Sequence, residues 1–165
     1  MTAEAHYLDA LEALEADERE EALQHAQKAV KLDPEHADAW RVISDASLPG
    51  LRKQPTLKQA ASSLSAAKKV VALQPDDLAM WVRGGRLLSD ELGLYMDALQ
   101  WWQDARHHAP NEVTPIVEQA AILADMGLYG EASERLQSIF DENMDLATTQ
   151  YARVARLHQM CQLAS

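Results

Sequence analysis

The sequence predicts an all-α fold made of repeated helix pairs, and three observations carry that reading. Apolar residues recur at helical spacing along the chain, and no run of alternating β-branched residues argues for strands. The phrase GLY-x-x-A occurs twice: Gly93, Leu94, Tyr95 and Ala98 return 34 residues later as Gly127, Leu128, Tyr129 and Ala132. Pro34, Pro75 and Pro110 each close a similar phrase, AVKLDP, VVALQP and ARHHAP, and Trp40 and Trp81 each follow a proline by six residues. A period near 34, with extra residues in one copy, signals one supersecondary unit stacked on copies of itself.

The elements follow in order. Tyr7, Leu8, Leu11 and Leu14 form an apolar stripe on a first helix, facing Leu23, Ala26 and Val30 on a second that stops at Pro34. Trp40 and Ile43 open the next unit. Pro49-Gly50 then breaks its first helix within an insertion at 47–56, and Thr56 with Gln59 reads as a capping box that starts the second. In the third and fourth units Gly93 and Gly127 fall where a first helix must end, in a left-handed conformation that glycine adopts without a Cβ clash. Ala22, Ala98 and Ala132 let paired helices approach, while Trp40, Trp81 and Trp102 fill the gaps between layers. Leu146, Tyr151, Val154, Leu157 and Met160 approximate one stripe of a final helix, with Arg153 and Arg156 away from it.

Composition excludes several classes. A net charge of −11 argues against a nucleic-acid backbone as partner, because phosphates need a basic footprint. The charge is uneven: residues 46–75 hold five bases and no acid, an island between acidic flanks that includes Arg52, Lys53, Lys58, Lys68 and Lys69. Apolar runs are too short for a membrane span, and no leader pattern follows Met1. A single cysteine, Cys161, cannot form an internal disulfide, which fits a cytoplasmic, reducing setting.

No phosphate loop, dinucleotide turn, nucleophile elbow or zinc-protease HExxH is present, so no catalytic residue and no cofactor is expected. The adjacent His107-His108 cannot face one metal from a regular helix, where successive side chains diverge by about 100°. His6, His25, His36 and His158 are scattered without an evident carboxylate or cysteine constellation, so no metal site is expected either.

On these residues the chain resembles the tetratricopeptide repeat family, whose unit follows the pattern W-x2-L-G-x2-Y, then A-x3-F, then P. The third unit carries it most fully, with Trp81, Gly84, Gly85, Leu88, Ala98, Trp102 and Pro110; the fourth follows with Ile116, Gln119, Ala120, Leu123, Gly127, Tyr129, Ala132 and Leu136. The second has Ser63 and Ala67 where small and aromatic residues belong. The resemblance implies one domain, a right-handed α-solenoid of about four antiparallel helix pairs. Its repeats lie at about 3–36, 37–77, 78–112 and 113–144, with a capping helix at 145–163.

It also implies binding rather than catalysis: a groove formed by the first helices, holding a peptide or helical segment of a partner protein. Aligned to that groove are Tyr7, Leu11, Arg41, Asp45, Val82, Arg83, Arg86, Asp90, Val117 and Tyr151. Arg83 and Arg86, on one helix face, with Arg41 would form a cationic spot for carboxylates, unless Asp45 and Asp90 neutralise them. Family members that hold chaperone tails use lysines and asparagines at positions occupied here by Tyr7, Leu11, Val42, Asp45, Ala79 and Arg83. Only Arg83 agrees in kind, so such tails are not expected to bind. Two further readings stand beside the peptide-binding scaffold: a secretion or assembly chaperone for an export substrate, and a structural subunit that forms a homodimer through the N-terminal helix.

Overall fold

The structure of the chain, a computed structural model, describes residues 1–51 and 53–165. Arg52 of the basic island lies outside them. The described residues form helices α1 (Ala3–Glu15), α2 (Arg19–Leu32), α3 (Ala37–Ala46), α4 (Leu57–Leu73), α5 (Leu78–Arg86), α6 (Tyr95–His108), α7 (Thr114–Asp125), α8 (Tyr129–Asp141) and α9 (Thr148–Ala164). No strand occurs among them, as the all-α expectation requires. They divide into two compact units, Met1–Gly93 and Leu94–Ser165.

Within the first unit α1 packs on α2, α3 on both α2 and α4, and α5 on α4. Its core around α1 and α2 is built from small side chains: Ala10, Ala22 and Ala26 are fully buried, and Tyr7, Leu11, Leu14, Leu23 and Trp40 close over them. Alanines let two helix backbones approach closely, though each buries little apolar area. Between α3 and α4 the buried Ser44 and Ser63 bond reciprocally: Ser44 Oγ donates to the Ser63 carbonyl at 3.0 Å, and Ser63 Oγ to the Ser44 carbonyl at 2.8 Å. That exchange is how the second repeat, at 37–77, holds serine where the pattern has a small apolar residue.

The proline and tryptophan phrases have one structural cause. In both copies the indole N–H donates at 2.8 Å to the proline carbonyl six residues earlier, Trp40 to Pro34 and Trp81 to Pro75. The bond fixes the link between one pair and the next, and His36 and Asp77 cap the following helices by accepting from the backbone N–H of Ala39 and Met80. The capping box expected at Thr56 and Gln59 is present and opens α4.

In the second unit α7 packs on α6 and α8, and α9 on α8 and α7. Its core is larger in residue type: Ile116, Val117, Leu123, Leu136, Ile139 and Val154 are at most 3 % exposed. Gln119, equally buried, spends its amide on the Leu99 carbonyl and on Gln103, both at 3.3 Å. On α9 the buried stripe differs from expectation. Val154 and Cys161 are fully buried and Leu157 packs beside them, whereas Tyr151 and Met160 are half exposed.

Gly93 and Gly127 adopt φ of 65° and 79°, the left-handed conformation expected of them. After α7 the N–H of Leu128 returns to the Leu123 carbonyl at 2.8 Å. The same closure ends α1, from Glu18 to Ala13 at 2.9 Å, and α8, from Met144 to Ile139 at 3.0 Å. There the left-handed residues are Asp17 and Asn143. Helix α5 ends differently, continuing as a π-helical turn, Leu87–Glu91, closed by Leu92 N–H on the Leu87 carbonyl at 2.9 Å.

Candidate functional site

At the end of α3 the Asp45 carbonyl accepts the Leu48 N–H at 3.2 Å, and the chain then turns into the insertion. Arg19, the first residue of α2, braces this turn: its guanidinium donates to the carbonyls of Asp45 at 2.9 Å and Leu48 at 3.0 Å, and to the Asp17 carboxylate at 2.8 Å. Arg83 of α5 meets the Asp45 carboxylate from the other side and also reaches Ser44 Oγ at 3.4 Å. Asp45 is therefore held between two arginines from different helices.

Around this pair opens a cleft of about 460 Å³. Leu14, Leu48, Pro49, Leu87 and Pro55 supply its apolar lining, Arg19, Lys53 and Arg83 its positive charge, and Asp45 and Glu91 its negative charge. Leu51 stands at its edge, 95 % exposed. The π-helical turn bears on this arrangement, since it carries both Leu87 and Glu91 at the cleft.

The aligned groove residues fall into separate places. Arg83 and Asp45 join at the cleft. Arg41 is engaged elsewhere, with Asp38, with Asp77 at the start of α5, and with the Gln74 side chain at 2.9 Å. Burial pulls its guanidinium down in pKa, but Asp77 and Asp38 outweigh that and raise it. Tyr7 lies beside this group, its ring centroid 4.9 Å from that of His36, which in turn meets Glu4 at 2.9 Å. Its phenol is raised in pKa by burial first, then by Asp38 and Glu4.

The three arginines thus do not merge into one free cationic spot; two are bound to aspartates at opposite ends of α3. Arg86 and Asp90 are exposed, and Val82 is half-buried. Leu11 packs against the first unit's core, and Leu14 and Tyr7 with it, leaving Leu8 as the exposed member of the N-terminal stripe. Val117 is 3 % exposed within the second unit's core and offers no surface to a partner. Tyr151 is exposed, edge-on to Phe140.

Sequence reasoning missed Arg19. A signal existed: it is the first base in the chain, alone among residues 1–27. The expectation of scattered histidines is also corrected, since His6, Asp9 and His25 place ligand atoms within 4.8 Å of one another. No described helix is long and apolar enough to cross a membrane.

Comparison with known proteins bears on the fold. No protein-family profile matches the chain and no curated protein does. Solved structures do match. A crystal structure of MamA is 15 % identical over 86 % of this chain and 78 % of that one, with a TM-score of 0.65. The RS-1 MamA double mutant is 15 % identical over 98 % and 89 %, with a TM-score of 0.66. A thermophilic TPR protein from Thermus thermophilus is 18 % identical over 99 % and 81 %, with a TM-score of 0.55. The chain has the tetratricopeptide type of repeat fold.

Proposed function

We propose that the chain is a non-enzymatic interaction scaffold, and that its first unit binds an extended segment of a partner protein in the cleft around Arg83. The observation that carries this reading is the cleft's lining. Leucines and prolines surround two arginines and a lysine at the end of a broken helix, in a fold whose helix pairs serve as binding surfaces. Such a surface suits a segment with acidic residues beside an apolar anchor: Lys53 offers a mobile ammonium, and the arginine pair offers planar donors already oriented by Asp45. Exposed Leu51 sits where an anchor would be covered.

Selection from a random peptide library on the immobilised protein tests the proposal. The expected result is enrichment of sequences pairing Asp or Glu with a large apolar residue, lost in Lys53→Glu and weakened by rising salt. Absence of enrichment, or enrichment indifferent to Lys53→Glu, contradicts it.

A further inference from the structure

We infer that His6, Asp9 and His25 form a binding site for a divalent transition-metal ion, zinc being the probe that matches their chemistry. His6 and Asp9 stand three apart on α1, hence on one face, and His25 faces them from α2. Buried alanines, Ala10, Ala13, Ala22 and Ala26, bring these two helices close enough for the three side chains to converge. One ligand atom from each lies within 4.8 Å of the others, and the imidazole centroids are 6.1 Å apart. Bond lengths of about 2.1 Å in a tetrahedral zinc site separate donors by about 3.4 Å, so small rotamer changes close the set.

A second observation points the same way. Nδ1 of His6 and Nδ1 of His25 are both buried and have no hydrogen-bond partner. Buried polar nitrogens are ordinarily satisfied, and two such orphans in one cluster are what coordination through Nδ1 would relieve. Glu21, one turn before His25, puts Oε1 at 3.8 Å from its other ring nitrogen, Nε2. That is the place of an outer carboxylate that orients a ligating imidazole. Two imidazoles and one carboxylate favour zinc-like ions over magnesium or calcium, which prefer oxygen, and they leave a position for water. Bound there, the ion pins α1 to α2.

Calorimetric titration of zinc chloride into chelator-stripped protein tests the site. The expected result is one zinc per chain, a rise of several degrees in Tm at saturating zinc, and no response to magnesium at the same concentration. His25→Gln and His6→Gln should each weaken binding at least about tenfold. Asp9→Asn, at a partly exposed position, should weaken it as well and serves if a histidine variant loses its helical circular dichroism. His107→Ala/His108→Ala should leave zinc binding unchanged. No zinc uptake, equal uptake of magnesium, survival of binding in both His6→Gln and His25→Gln, or its loss with His107 and His108 each overturns the inference.

Discussion

The two units are held together by different means. The second relies on bulk: Leu136, Ile139 and Val154 are fully buried, and burial of such side chains is the main stabilising force in most domains. The first has alanines at that depth between α1 and α2, and adds directed contacts, the Ser44–Ser63 exchange, the Arg19–Asp45–Arg83 chain and the Arg41–Asp77 pair. Directed contacts between half-exposed charges contribute little to stability but fix where side chains point. The shaped, charged cleft thus lies in the unit whose first helix pair closes over alanines.

That contrast can be broken from its strongest side first. Leu136→Ala should cost about 2–5 kcal/mol in urea unfolding, because it leaves a cavity where no solvent reaches. Ser63→Ala should cost about 1–2 kcal/mol, since it removes a buried donor and leaves the Ser44 carbonyl without it. Ser44→Ala/Ser63→Ala should cost clearly less than the two single changes combined, the two hydroxyls acting as one unit.

The turns give the next smaller effect. Gly127→Ala should cost about 1 kcal/mol through its positive φ alone, no atom lying within 4 Å of the added Cβ. Asn143→Gly should be neutral or stabilise by up to about 1 kcal/mol, the opposite sign at a turn of the same geometry. Asp45→Asn should shift stability by less than about 1 kcal/mol, its pair with Arg83 being partly exposed. Burial raises the pKa of the Cys161 thiol, so the folded chain should react with a disulfide reagent far more slowly than the urea-unfolded chain.

The parts that could be read in advance were those set by neighbours along the chain. The proline–tryptophan phrases, the Thr56 capping box and the turn glycines each need only a local geometry, and each is present. Asp17 and Asn143 take the same left-handed turn as Gly127, yet a polar residue announces nothing, because it is equally at home on an ordinary surface. Alignment to the repeat family the chain resembles made Arg83 a candidate. It could not identify Arg19 or His25 as partners, because their positions depend on the register of one helix against another. Val117 and Tyr151 show the same limit: both fitted the expected face, but the packing of α7 and α9 buries one and exposes the other.

The central claim is that a partner segment occupies the cleft of the first unit, and one affinity comparison tests it most directly. A library-selected peptide would be titrated against the wild type, Lys53→Glu, and Arg156→Glu, an equal charge change on exposed α9. The account predicts at least about a tenfold loss of affinity for Lys53→Glu, about 1.4 kcal/mol, with Arg156→Glu indistinguishable from wild type. Equal loss in both variants, or loss in Arg156→Glu alone, would contradict it.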